Sequence, residues 1–225
     1  MGNSIEILGN KIGPGHPSYF IAEIGINHNG QLDLAKKLID VASIAGCQAV
    51  KFQKRSPEIS TPDSQKNVLR DTPWGTMTYL EYKKKIEFGA AEYSEIARYS
   101  GEKGLHWFAS PWDVPSVEFL EELGAPAHKI ASASVTDLTL LNTISQTGKP
   151  KILSTGMSTL EQIDKAVEVL GDENLMLMHS TSSYPLEPEE ANLRMIETLK
   201  NRYSTPVGYS GHETGLQISV AAAAL

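Results

Sequence analysis

Gly25-Ile26-Asn27-His28-Asn29-Gly30 ends the first apolar run of the chain, Tyr19–Asn27, and decides between two parallel-sheet folds. A doubly wound sheet usually carries a glycine-rich phosphate loop, G-x-G-x-x-G, after its first strand. The stretch 25–30 does not match that pattern. A barrel instead places polar residues at the carboxyl end of every strand, as Asn27 and His28 do here. The stretch therefore favours a TIM-type (β/α)8 barrel.

Six more short apolar runs follow, each separated from the next by a segment with helical spacing. They are Ala49–Gln53, His106–Ser110, His128–Ser132, Lys151–Thr155, Leu175–His179 and Val207–Ser210. Apolar stripes at helical spacing run over residues 32–42 and 160–170, and Ser158 with Glu161 predicts a capping box at the start of the second stripe. Strand–helix alternation with short connections predicts a parallel sheet.

The count of seven strands is one short of a closed barrel. We therefore expect residues 1–225 to form one barrel domain with seven of its eight strands, ending in a helical pattern at Ala221–Leu225. One connection is long, from Arg55 to about Gly104. A long segment at the carboxyl ends of barrel strands is typical of a lid or substrate loop.

Composition excludes several classes of protein. The 225 residues carry a net charge of −7, which argues against a broad nucleic-acid surface, and the single cysteine excludes an intrachain disulfide framework. No stretch is apolar for long enough to span a membrane, and the first ten residues lack the pattern of a secretory signal. The expected compartment is the cytoplasm.

Polar side chains recur on one face of these strands when each strand is read with a period of two. They are Glu23, Lys51, Gln53, Lys129, Ser132, Ser154, Ser210 and His212. Lysines that converge with hydroxyls suit a phosphate and a carboxylate, so the pattern predicts an anion site. Glu23 has two interpretations: it handles a hydroxylated substrate, or it forms a salt bridge with Lys51.

The six histidines divide by position. His28 and His212 lie at strand ends and are candidate ligands, whereas His106 and His179 fit satisfied core positions. The pattern places His16 and His128 in loops or on the surface.

Six blocks, in order along the chain, together resemble the sialic acid synthase family, which contains N-acetylneuraminate synthases and synthases of legionaminate-type sugars. The blocks are residues 21–30 (IAEIGINHNG), 51–54 (KFQK), 129–132 (KIAS), 154–157 (STGM), 181–185 (TSSYP) and 208–214 (GYSGHET). The resemblance implies a barrel followed by a small antifreeze-like domain, in a homodimer. It also implies the condensation of phosphoenolpyruvate with an N-acetylated amino-hexose such as N-acetylmannosamine, giving a nine-carbon 2-keto acid and phosphate.

The resemblance also implies roles for individual residues. Phosphoenolpyruvate would be held by Lys51, Ser110, Lys129, Ser132, Ser154, Ser182 and Ser210. His212 would be one of two histidine ligands of manganese or magnesium. Glu23 and Tyr184 would face the acceptor sugar, with Gln53 and His28 in support.

Three features depart from the family pattern. Many members have an acidic residue at the position of Ser134, and some have asparagine at the position of Ser182. The family's second histidine lies on the eighth strand. We therefore expect these 225 residues alone, without that strand and the antifreeze-like domain, to hold a divalent metal poorly and to lack synthase activity.

Two other functions fit the same residues. One is a Schiff-base keto-acid aldolase with Lys129 or Lys51 as the nucleophile, which borohydride trapping with a keto acid would detect. The other is a non-catalytic barrel that binds sugar acids.

Overall fold

The computed structural model of the protein describes residues 4–225, which form two compact units. The first unit is Tyr19–Ala125, and the second contains residues 4–18 together with the segment from Pro126 to Leu225. Seven parallel strands are described, three in the first unit and four in the second, and each leads into a helix. This confirms the α/β class and the seven strands predicted for a TIM-type barrel.

The strands and helices are numbered in chain order. The strands are β1 Ile5–Ile7, β2 Asn10–Ile12, β3 Ile21–Gly25, β4 Ala49–Lys54, β5 Leu69–Thr72, β6 Gly75–Thr78, β7 His106–Pro111, β8 His128–Ile130, β9 Lys151–Ser154, β10 Leu175–His179 and β11 Val207–Tyr209. The helices are α1 Leu32–Ile44, α2 Pro57–Ser60, α3 Asp63–Lys66, α4 Tyr79–Ile86, α5 Ala90–Glu102, α6 Val114–Glu122, α7 Leu138–Gln146, α8 Leu160–Leu170, α9 Arg194–Arg202 and α10 Gln217–Ala224.

In the first unit, β4 pairs in parallel with β3 on one side and with β7 on the other. Val50 and Phe52 are fully buried in a core that includes Ile39 of α1 and Ile96 of α5. Because side chains alternate along a strand, the residues between and beyond them, among them Lys51, project from the opposite face. The helices thus cover one face of β4 and leave the other for polar residues.

In the second unit, β9 pairs in parallel with β8 and β10, and β10 pairs with β11. The side chains of Ile144 on α7 and Ile163 on α8 are buried, and those of β9 and β10 are almost entirely so. The register places Ser154 beside Met178, and His179 beside Tyr209. The carboxyl ends of these strands therefore lie along one edge of the unit.

Two local expectations are wrong. The capping box of α8 uses Thr159 and Gln162 instead of Ser158 and Glu161, one residue later along the chain. His128 is not a surface residue. It is the first residue of β8, which pairs with β9, and its side chain is fully buried.

The long connection after β4 is structured. It contains α2, α3, the antiparallel hairpin β5–β6, and the helices α4 and α5. Within residues 4–225, no helix has the length and apolar character needed to cross a membrane.

Candidate active site

Lys51 is buried on β4, and two side chains of the first unit contact its ammonium. It forms an ion pair with Glu23 on β3, and its Nζ donates to Oγ of Ser110 on β7 at 3.0 Å. The registers of β4 with β3 and β7 bring these residues together. The salt bridge expected for Glu23 is therefore present. Half of the Glu23 side chain remains exposed, so the carboxylate also faces solvent.

Gln53 lies two residues beyond Lys51 on the same face. Its Oε1 accepts from Nη2 of Arg55, and its backbone carbonyl accepts from the hydroxyl of Tyr93 at 2.7 Å. Gly25 has φ +56°, and a Cβ at that position would lie 2.8 Å from Oε1 of Glu23 and 3.5 Å from Nε2 of Gln53. The missing side chain of Gly25 therefore leaves room for an acceptor and a donor next to each other.

His28 occupies a different environment from these residues. Its ring is buried, stacks on Phe88 with centroids 4.0 Å apart, and its Nδ1 accepts from the backbone N–H of Gly30. Burial lowers the pKa of His28 to about 4, so the ring is neutral at pH 7. The role of His28 toward an acceptor sugar stays a prediction.

In the second unit, the hydroxyls of Ser132 and Ser182 lie at the loop after β9. Oγ of Ser132 accepts from the backbone N–H of Gly156 at 2.9 Å. A Cβ on Gly156 would lie 2.6 Å from Oγ of Ser182 and 3.0 Å from Oγ of Ser132. The structure thus brings these two predicted residues together, over a glycine whose lack of a side chain leaves the space between them open.

Lys129 on β8 and Ser154 on β9 have polar groups that lack a charged or hydrogen-bonding partner among the described residues. Burial lowers the pKa of Lys129 to about 8, and no carboxylate of residues 4–225 offsets this effect. Oγ of Ser154 is buried and has no hydrogen-bond partner among the described residues. A buried ammonium and a buried hydroxyl in this condition cost free energy unless a ligand pairs with them.

His212 follows β11 and is held through both ring nitrogens. Its Nδ1 lies 2.7 Å from the carbonyl oxygen of Thr181, and its Nε2 lies 2.7 Å from the hydroxyl of Tyr184. A carbonyl only accepts, so Nδ1 carries the proton and Nε2 carries the lone pair. A histidine that ligates a metal through Nε2 commonly has this arrangement.

His212 therefore fits the role of one metal ligand. Among residues 4–225 there is no group of three or more His, Cys, Asp or Glu side chains placed to hold an ion. Ser210 lies two residues before His212, and its backbone N–H donates to the carbonyl of His179. That bond continues the ladder between β10 and β11 and fixes where the 210–214 segment begins.

Sequence reasoning missed two buried charged residues of the first unit. Arg55 lies beside Gln53, and Glu87 accepts from the backbone N–H of Arg55 and from Nζ of Lys54. Burial raises the pKa of Glu87 although both cations oppose that effect. The basic run from Lys51 to Arg55 was a signal for Arg55, whereas nothing in the sequence around Glu87 indicated this contact.

Comparison with known proteins relates the chain to one family. The model of the NeuB family matches residues 38–225. The chain is 38% identical to human N-acetylneuraminate-9-phosphate synthase over 96% of its own length and 62% of that protein. It is also 38% identical to N,N'-diacetyllegionaminic acid synthase of Campylobacter jejuni, over 91% of its own length and 64% of that protein.

A solved structure resembles the whole chain. The N-acetylneuraminic acid synthetase of Leptospira borgpetersenii, crystallised in complex with citrate, matches with a TM-score of 0.90 and 35% identity, over 99% of this chain and 74% of that one. The chain spans somewhat less than two thirds of the length of the curated relatives described above. These relatives are sugar-acid synthases, and their fold agrees with the barrel predicted here.

Proposed function

Because the chain belongs to the NeuB family, we propose that it condenses phosphoenolpyruvate with an N-acetylated amino-hexose, of which N-acetylmannosamine is the simplest example. The products are a nine-carbon 2-keto sugar acid and inorganic phosphate. The observation that carries the proposal is the buried Oγ of Ser154 on β9, which has no hydrogen-bond partner among the described residues and lies on the strand paired with that of Lys129. An anionic ligand would supply the missing partner. The Leptospira relative was crystallised in complex with citrate, which is itself an anion.

Each unit carries groups suited to an anion. Lys51 and Ser110 of the first unit, and Lys129 of the second, offer donors that neutralise phosphate and carboxylate charge. The unpartnered hydroxyl of Ser154 and the hydroxyl of Ser132 add directional hydrogen bonds. These donors lower the cost of the negative charge that stays on the phosphate as it leaves.

The reaction forms one carbon–carbon bond. Carbon 3 of the enol attacks the aldehyde carbon of the open-chain sugar, and the positive charge left at carbon 2 is captured by water. Phosphate then departs with the bond between carbon 2 and oxygen broken. A divalent ion, when bound, supplies Lewis-acid polarisation of the aldehyde. His212 would hold it through Nε2, and Glu23 and Tyr184 would position the acceptor's hydroxyls.

The test is a labelled turnover assay on the full-length protein. Phosphoenolpyruvate with oxygen-18 in the bridging position is incubated with N-acetylmannosamine and manganese, and phosphate and sugar acid are analysed by mass spectrometry. We expect phosphate release that depends on the acceptor, with the label in phosphate, because the bond between carbon 2 and the bridging oxygen breaks. Label retained in the keto acid, or release independent of an acceptor, would contradict it. The Arg98→Met variant is the matched control, since Arg98 pairs with Glu95 and Glu102 on the surface.

A Schiff-base aldolase is the second candidate, because the lowered pKa of Lys129 also suits a nucleophilic amine. Borohydride with pyruvate separates the two functions. The synthase proposal expects no covalent adduct, whereas a stable adduct lost in Lys129→Met would support the aldolase. The homodimer and the metal implied by the family likewise stay predictions, which light scattering and metal titration of the full-length protein test.

A further inference from the structure

Arg55 has a fixed side chain, although it follows directly on the end of β4. Only 6% of it is exposed, and its guanidinium lies over the ring of Trp112 at 5.1 Å from the ring centroid. Nε lies 3.6 Å from a carboxylate oxygen of Glu87, and Nη2 donates to Oε1 of Gln53. A buried guanidinium stacked on an aromatic ring and flanked on both sides has little freedom to rotate.

The contact with Gln53 determines which way the amide points. A guanidinium can only donate, so the atom it meets must be the amide oxygen. The NH₂ group of Gln53 is consequently turned away from Arg55. It lies near the space above Gly25, where an added Cβ would be 3.5 Å from Nε2 of Gln53 and 2.8 Å from Oε1 of Glu23.

The backbone on both sides of this contact is also held. The hydroxyl of Tyr93 donates to the carbonyl oxygen of Gln53 at 2.7 Å. Oε1 of Glu87, in the link between α4 and α5, accepts from the backbone N–H of Arg55 at 3.0 Å and from Nζ of Lys54 at 3.2 Å. Glu87 therefore holds the backbone in place where β4 ends. Arg55, held by Glu87, in turn fixes the side chain of Gln53 through its hydrogen bond to Oε1.

We infer that Arg55 is a positioning residue, which turns the amide of Gln53 so that its NH₂ group stands as a donor beside the carboxylate of Glu23. A donor and an acceptor side by side match the alternating hydroxyl and amide groups of an N-acetylated sugar. The consequence for the sugar rests on the proposed synthase function. The orientation of the amide does not.

The functional test is a double-mutant cycle in the full-length protein, with N-acetylmannosamine as the varied substrate and phosphoenolpyruvate saturating. Gln53→Ala and Arg55→Met are each expected to lower kcat/KM for the sugar about tenfold, the effect of one lost charge-assisted hydrogen bond. The KM for phosphoenolpyruvate should change less than about twofold. Because Arg55 acts through Gln53, the double variant should be no worse than the less active single variant. Losses that multiply to about a hundredfold in the double variant would overturn the inference.

The structural test needs no activity. The side-chain amide signal of Gln53 is identified in a nitrogen-15 NMR spectrum by its absence from Gln53→Ala. In Arg55→Met this signal should move toward the position of a solvent-exposed glutamine, and in the surface variant Arg98→Met it should stay. An unmoved signal in Arg55→Met would refute the positioning role, whatever the turnover shows.

Two further variants guard against a simple loss of folding. Arg55→Lys keeps the charge but lacks the planar fork, so it should shift the Gln53 signal while the melting temperature stays near that of the parent protein. Glu87→Gln should shift the same signal less, since it removes one anchor of Arg55. The two proposals can fail separately. If the Gln53 signal moves in Arg55→Met but the parent protein releases no phosphate, the synthase proposal is refuted and the positioning role of Arg55 stands.

Discussion

The hydroxyl of Tyr184 lies 2.7 Å from Nε2 of His212, and the two rings lie with their centroids 3.9 Å apart. The carbonyl oxygen of Thr181 accepts a hydrogen bond from Nδ1–H of His212, so the hydroxyl of Tyr184 donates to the lone pair on Nε2. A divalent ion would use that same lone pair. The tyrosine hydroxyl and an ion therefore exclude each other at this nitrogen.

Removal of the Tyr184 hydroxyl should strengthen metal binding. Tyr184→Phe in the full-length protein is expected to bind manganese about two- to tenfold more tightly, because the ion no longer displaces a hydrogen bond of ordinary strength. Electron paramagnetic resonance of free manganese measures the affinity. His212→Ala should bind much less, and a variant of the exposed His16, His16→Ala, is the control. Weaker binding by Tyr184→Phe would show that the tyrosine assists the ion instead of competing with it.

Glu23 forms an ion pair with Lys51 and is proposed to contact the acceptor sugar, and one substitution separates the two roles. Glu23→Gln keeps the shape but removes the charge that pairs with Lys51. If Glu23 handles the acceptor, turnover should fall about a hundredfold, the usual scale for loss of a general acid or base, while the Kd for phosphoenolpyruvate stays within about threefold. Calorimetry and a phosphate-release assay measure the two quantities.

The half-exposed Glu102, which pairs with Arg98, offers a matched control for Glu23→Gln. Glu102→Gln should leave both quantities unchanged. A Glu23→Gln protein with full turnover but a lowered melting temperature would identify Glu23 as a structural partner of Lys51 only.

Strand positions were the part of the fold that the sequence predicted well. Runs such as Ala49–Gln53 and Leu175–His179 are short, apolar and bounded by polar residues, and the structure has strands at all seven predicted places. The segment after β4 was harder, since the hairpin β5–β6 is mostly exposed and its residues give no regular apolar period. Periodicity reports burial, so it is silent where an element is exposed.

Side-chain partners were predictable only along paired strands. The Glu23–Lys51 pair follows from the alternation of faces in neighbouring strands. By contrast, the contact of His212 with Tyr184 joins two irregular segments 28 residues apart. The contact of Glu87 with Arg55 depends on the path of the chain between α4 and α5. No local pattern in the sequence encodes such contacts.

The pKa of Lys129 predicts a pH dependence for anion binding. Burial lowers this pKa to about 8, so the free protein loses the ammonium charge above that pH. If Lys129 binds phosphoenolpyruvate as proposed, this anion should bind best to the protonated form. Its Kd should therefore rise about tenfold between pH 7 and pH 9 through this one proton. Calorimetry across this range measures the change.

Lys129 should also make the free energy of unfolding depend on pH. The folded protein should become more stable over the pH range in which anion binding weakens. The folded pKa lies below the unfolded value of about 10.4, so between pH 8 and that value the unfolded state binds more protons and the free energy of unfolding rises with pH. Lys129→Met should remove both trends, and Lys165→Met, on the surface beside Glu168, should keep them. An equally steep rise of Kd in Lys129→Met would assign the proton to another group.

Gly156 should be required for binding phosphoenolpyruvate and much less for folding. A methyl group there would lie 2.6 Å from Oγ of Ser182 and 3.0 Å from Oγ of Ser132, closer than side-chain atoms approach. The hydroxyls must then turn or the loop must shift, and overpacking of this kind costs about 1–3 kcal/mol. Because these serines are the predicted anion donors, Gly156→Ala should raise the Kd for phosphoenolpyruvate at least about tenfold.

The matched control is Gly101→Ala on α5, where a Cβ meets nothing within 4 Å. It should leave the Kd unchanged and slightly raise the melting temperature, since alanine favours a helix over glycine. Calorimetry gives the Kd and thermal unfolding gives the stability. Unchanged binding in a well-folded Gly156→Ala protein would remove Ser132 and Ser182 from the anion site.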